Sequence, residues 1–201
     1  MNMIETIGVN TLYLLALINP ISKVSILITL QPEQQRKHFL FLTAKCSFVA
    51  LGILVGAMVV GDFILRSVFR VDLYSLRFAG GAVVFWFGMN ALRRGVFFEI
   101  ESQKGFEEIA LVPLACPMIA GPATIAASIS LRAEQGLFPP LVSMVLALIV
   151  NYVIMALAPR IGRLLSHFNI LGALIRITGL IVMTIGTQMI FDGISSWMHS
   201  R

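Results

Sequence analysis

"LALINPISKVSILITL", residues 15–30, is an apolar run with an Asn-Pro step at its centre. Proline inside a helix removes one hydrogen bond and clashes with the preceding turn, at about 3 kcal/mol or more. A second run, "LACPMIAGPATIAASISL", residues 114–131, repeats the pattern with Gly121-Pro122. Sliding the first run by 102 positions puts Pro20 on Pro122, Asn19 on Gly121 and Ser22 on Thr124. A chain that interrupts two apolar helices at matched places is building something with the interruptions.

The surroundings of these runs set the solvent. Of 201 residues, 58% are hydrophobic and 12% charged, where soluble domains carry about a quarter charged residues. A single domain of this length has no interior large enough for so much apolar surface, so the bilayer is the expected environment. Six stretches reach the roughly 20 apolar residues that a spanning helix needs: 4–30, 39–62, 73–92, 109–131, 137–158 and 169–191. They are continuous rather than alternating, which excludes a β-barrel. The start of the chain has Glu5 and no basic residue ahead of its apolar run, so it reads as a spanning helix rather than a cleaved leader. Cys46 and Cys116 sit in apolar stretches without metal-ligand spacing and read as buried thiols.

Lys and Arg sort by side. Arg36, Lys37, Arg93, Arg94, Lys104, Arg160 and Arg163 follow spans one, three and five, whereas Arg66, Arg70, Arg132 and Arg201 lie opposite. The richer side is expected in the cytoplasm, which puts both termini outside. The net charge of +5 is spread over this asymmetry, so nucleic acid is not an expected partner. The stretch 93–108 reads as a solvated loop, and "FILRSVFRVDLYSL", 63–76, as an interfacial segment.

Spans three and six also match. "RFAGGAVVFWFGMN" carries Arg77, Gly80, Gly88 and Asn90, and "RITGLIVMTIGTQ" carries Arg176, Gly179, Gly186 and Gln188 with one residue of slippage. The chain therefore reads as one all-α transmembrane domain, residues 1–201, made of two three-helix repeats, about 4–92 and 109–192. Three is odd, so the second copy enters from the opposite face: a 3+3 inverted repeat with broken first and fourth helices, as in many secondary transporters.

A broken helix leaves backbone groups that hydrocarbon cannot satisfy, so the breaks must face protein or a wet cavity. Each second half-helix offers its positive end to an anion the size of a carboxylate. The expected binding residues are Asn19, Pro20, Ser22, Lys23, Gly121, Pro122 and Thr124, with Asn90 and Gln188 as polar groups inside spans three and six. Lys23 has two readings: snorkelling to the headgroups, or adding positive charge to the anion seat. Arg77 and Arg176 read as interfacial anchors, and Asn151 as an interhelical hydrogen-bonding residue. Glu107, Glu108, Glu134 and Asp192 mark span edges, and no Asp or Glu lies inside a span. Coupling by sodium or protons would have to use backbone carbonyls and neutral oxygens; no cofactor or metal is expected. His38, His167 and His199 fall in loops or tails, which leaves no catalytic constellation, so no enzyme is expected.

"NPISKVSILITL", "PLACPMIAGPATIA", "RFAGG" and "GTQMIFDGI" together resemble the MarC family of prokaryotic inner-membrane proteins, over nearly the whole chain. The family's first motif resembles Asn-Pro-x-Gly-Asn-x-Pro; here Asn19 and Pro20 match, while Ser22, Lys23 and Ser25 depart from it. In the second motif Gly121, Pro122 and Thr124 match, and Ala123 stands where Gly is usual. The resemblance implies six spans, outside termini and the transport of small neutral amino acids such as glycine and alanine. Two functions follow as expectations. One is a secondary carrier of small zwitterions, a homo-oligomer being compatible. The other is a channel-like or accessory membrane protein whose prolines only shape packing.

Overall fold

The computed structural model describes residues 2–29, 36–95, 119–167 and 170–200. All regular structure among these residues is helical. The first helix, α1 (Met3–Ile18), ends at the Asn-Pro step and α2 (Pro20–Thr29) begins there. Next come α3 (Arg36–Phe63), running into a π-helical turn (Ile64–Val68), and α4 (Leu73–Arg94). After the second x-Pro step lie α5 (Pro122–Gln135), α6 (Phe138–Ala156), α7 (Ala158–His167) and α8 (Leu171–His199).

Among the described residues four stretches are long and apolar enough to cross a membrane: Met3–Val24, Leu40–Gly61, Phe138–Ala156 and Leu171–His199. This is fewer than the six expected, for two reasons. The helix α4 has 22 residues, but its glycines, Arg77 and Asn90 dilute its hydropathy. The fourth expected span is described only from Ile119, and its start at 109–118 lies outside the described residues, as do Cys116 and the loop at 96–108. Two boundaries also move. Span five stops at Ala156, and a separate helix, α7, follows the turn at Leu157. Span six continues past Asp192 to His199, because one acid on a helix face does not end a helix. In the expected interfacial segment, Val68 and Phe69 are exposed and Arg70 takes a left-handed backbone, with φ +53°.

Packing is closest between α4 and α8, which run antiparallel through a seam of glycines. A methyl group on Gly81 would lie 2.7 Å from the Gly186 carbonyl oxygen, and one on Gly88 2.6 Å from that of Gly179. Farther along, a methyl on Gly193 would lie 2.9 Å from the Tyr74 carbonyl oxygen. Only hydrogen fits at these points, so the backbones approach as small-residue membrane interfaces do. On its next face α4 meets α5, where a methyl on Gly80 would lie 2.8 Å from the Ala126 Cβ. Other contacts join α1 to α6, α3 to α5, α3 to α6 and α2 to α7. Leu14, Ile18, Leu54, Met58, Ile119, Met144 and Met155 fill the core between them. Outward, Phe48, Trp86, Ile149 and Phe191 are exposed, an apolar coat suited to acyl chains.

Candidate functional site

The interruption at Asn19-Pro20 is present; at Gly121-Pro122 the structure describes the start of α5, the stretch before Ile119 lying outside the described residues, and the two x-Pro steps differ in backbone geometry. Proline disfavours the α conformation at the residue before it. Asn19 resolves this in the left-handed region, φ +50° and ψ +77°, and its N–H closes α1 on the Leu15 carbonyl at 2.8 Å. Asparagine is among the few side chains that adopt this region at low cost. Gly121 resolves it in extended backbone, φ −70° and ψ 168°. Pro122 takes the first helical position, where its missing N–H costs nothing. No side chain caps α5, so the Ala123 and Thr124 N–H groups have no partner within their own helix.

The two interruptions belong to one region of the fold. Ile18, Ile119 and Ala120 share the main core cluster, while Leu17 packs with Ala123 and Ala126 in the cluster of α4 and α8. Asn19, Pro20, Ser22, Gly121 and Thr124 are buried and Pro122 is exposed. The Asn19 side-chain Nδ2 is buried without a hydrogen-bond partner, an unmet donor of the kind that costs about 1–3 kcal/mol. The Ser22 hydroxyl donates to the Asn19 carbonyl at 2.7 Å, and the Ser128 hydroxyl to that of Thr124 at 2.7 Å.

Lys23 overturns the snorkelling reading. Its side chain has no exposed surface. The ammonium curls back over the interruption and donates to the Ile18 carbonyl, with the Asn19 carbonyl at 3.5 Å. It therefore meets the negative end of α1 and engages carbonyls that would otherwise be open to a ligand's ammonium. Asn90 and Gln188 are not brought together. Gly179 lies between Gly88 and Leu92, level with Asn90, and Gly81 between Gly186 and Ile190, level with Gln188, so the two polar residues are about 13 Å apart along the seam. Asn151 bonds within its own helix, to the Met155 sulfur at 3.2 Å, rather than across helices, and its Oδ1 is unpartnered.

Sequence reading missed a cavity of about 340 Å³ bounded by α1, α4, α5 and α8, with mostly apolar walls and a few charged side chains in its lining. Arg77 crosses it, paired with Glu134, donating from Nε to the Ser130 hydroxyl at 2.5 Å and reaching Ser196 at 3.5 Å. Arg77 thus ties α4 to α5 and α8. Gln188 lines the same space and donates to Asp192 at 2.8 Å. Glu134 and Asp192 against Arg77 leave the charged lining net negative. Tyr13 and Ala127 also line it; they lie six residues before Asn19 and five after Pro122, about 9 and 7.5 Å along their helix axes. The signal was weak: Glu134 and Asp192 were visible as edge residues, but nothing in the sequence pairs them with Arg77.

A bundle of apolar helices, two of them starting at x-Pro steps beside a cavity with a few charged side chains in its lining, defines a polytopic α-helical membrane protein. The chain belongs to the MarC family of integral membrane proteins, whose family model matches residues 4–198. A UPF0056 membrane protein of Pyrococcus horikoshii is 34% identical over 191 residues, covering 95% of this chain and 94% of the relative. One from Aquifex aeolicus is 28% identical, covering 92% and 90%. The inner membrane protein MarC of Salmonella paratyphi A is 28% identical, covering 96% of each. No solved structure matches the chain.

Proposed function

We propose that this protein is a secondary carrier of small neutral amino acids, of the size of glycine and alanine, acting in the cytoplasmic membrane by alternating access. The observation that carries the reading is the buried helix interruption at Asn19-Pro20 together with the x-Pro start of α5 at Gly121-Pro122. A ligand carboxylate would take the free N–H groups of Ala123 and Thr124, with Asn19 Nδ2 as a further donor. These are charge-assisted contacts of roughly 1.5–3 kcal/mol each. Lys23 holds the Ile18 and Asn19 carbonyls, so the ligand ammonium must look elsewhere.

Support for six spans in two inverted repeats comes from the packing. In that reading α1–α2, α3 and α4 match the helix ending in α5, then α6 and α8. Exchanging the repeats turns the α3–α5 contact into the α6–α2 contact and the α4–α5 contact into the α8–α2 contact, and returns α4–α8 and α3–α6 onto themselves. A symmetric contact pattern of this kind is what rocking between two equivalent states requires. The termini lie outside in this arrangement, and the cavity then opens to that side.

One observation favours a protein without a carrier cycle: an interruption whose carbonyls are met by Lys23 from within needs no ligand to be stable. Counterflow separates the two. Proteoliposomes loaded with unlabelled alanine should accumulate labelled alanine saturably, and external glycine should compete. Ethylamine, lacking the carboxylate, should not compete. A linear, non-competable leak would belong to a pore or an accessory subunit.

A further inference from the structure

The first interruption holds an arrangement that the carrier reading does not use. The Ile18 and Asn19 carbonyls converge on one point, and a charged ammonium occupies it. Lys23 has no exposed surface, and among the described residues no carboxylate pairs with it. Among the described residues its charge is met by carbonyl dipoles at the negative end of α1. In membrane proteins with discontinuous helices, unwound carbonyls and half-helix C-terminal ends are where dissolved cations bind.

We propose that the Asn19-Pro20 interruption is a seat for a monovalent cation, and that this chain fills it with its own tethered ammonium, Lys23. The ligand set is oxygen: the carbonyls of Ile18 and Asn19, with the Ser22 hydroxyl beside them at 2.7 Å from the Asn19 oxygen. Hard oxygen donors of this kind suit alkali cations and an ammonium alike. The wild-type protein therefore needs no dissolved ion at this place. Removing the ammonium leaves converging carbonyls that sodium or potassium can enter.

The seat is tested by thermal unfolding of the purified full-length protein, with no substrate present. Wild type, Lys23→Ala and Lys23→Asn are compared in sodium, potassium and choline chloride at equal ionic strength. Wild type should unfold at one temperature in all three. Each variant should be stabilised saturably by sodium or potassium over choline, by roughly 5–10 °C at a hundredfold excess over the dissociation constant. Folded variants that unfold at the same temperature in every salt would overturn the proposal. So would variants that fold in none of them, because the seat would then accept nothing but lysine. The corollary for transport rests on the carrier reading: wild-type flux should be equal with sodium or choline outside. An inert protein in the flux assay whose Lys23 variants still respond to cations would defeat the carrier and leave the seat standing.

Discussion

Replacing Gly88 by alanine tests the closest contact in the fold. The added methyl would meet the Met183 backbone nitrogen, and would lie 2.6 Å from the Gly179 oxygen and 2.7 Å from the Met183 Cα. All three are backbone atoms, so no side chain can rotate aside, and α4 and α8 must separate along the seam. Overpacking of this kind costs about 1–3 kcal/mol, and the rigid partners put this site at the upper end. Alanine also gains about 0.5–1 kcal/mol of helix propensity over glycine. Gly56→Ala is the matched control. Gly56 is in a helix with nothing within 4 Å of the added methyl, so only the propensity gain applies. The difference between the two variants, about 2–3 kcal/mol, corresponds to roughly 4–12 °C in unfolding temperature for a chain of this size. Thermal unfolding of the purified variants in one detergent reads it directly. Gly179→Ala added to Gly88→Ala should cost less than it does alone, since the helices have already parted. Equal unfolding temperatures for Gly88→Ala and Gly56→Ala would refute the seam.

Arg77→Ala and Glu134→Ala, singly and combined, should show a coupling of roughly 1 kcal/mol in unfolding stability, because Glu134 is half exposed and the pair is partly screened; strictly additive effects would mean that the ion pair carries no energy. A cysteine at Leu137 should react with an impermeant maleimide from outside intact cells, and one at Arg94 only after the cytoplasm is opened. Labelling of both from the same side would break the inverted arrangement.

Much of the fold is readable in the residues, and the reasons are local. Proline punctuates a helix wherever it falls, so both interruptions could be placed to the residue from Asn19-Pro20 and Gly121-Pro122. The glycines of spans three and six were visible as a match, but their meaning was not. Gly81 opposes Gly186 and Gly88 opposes Gly179 only once the two helices run antiparallel in a fixed register. Lys23 illustrates the harder limit. A lysine one turn from a break can reach headgroups or fold back, and the choice depends on which carbonyls the break leaves open. The left-handed Asn19 leaves its own and that of Ile18 within reach. Arg77 and Glu134 meet across two helices, a contact that spacing cannot reveal. The net effect is that the carbonyls of the first break are engaged from within by Lys23, a contact that residue spacing alone does not indicate.

Equilibrium binding of labelled alanine to purified wild type and to the Pro20→Ala, Pro122→Ala double variant tests the central claim most directly. Alanine restores the missing N–H and removes the ring clash at both steps, so each helix can close and turn its free N–H groups inward. The account predicts saturable binding by wild type, competed by glycine, and at least a tenfold loss in a double variant that remains folded. Undiminished alanine binding by the folded double variant would contradict it, because the interruptions would then serve packing alone.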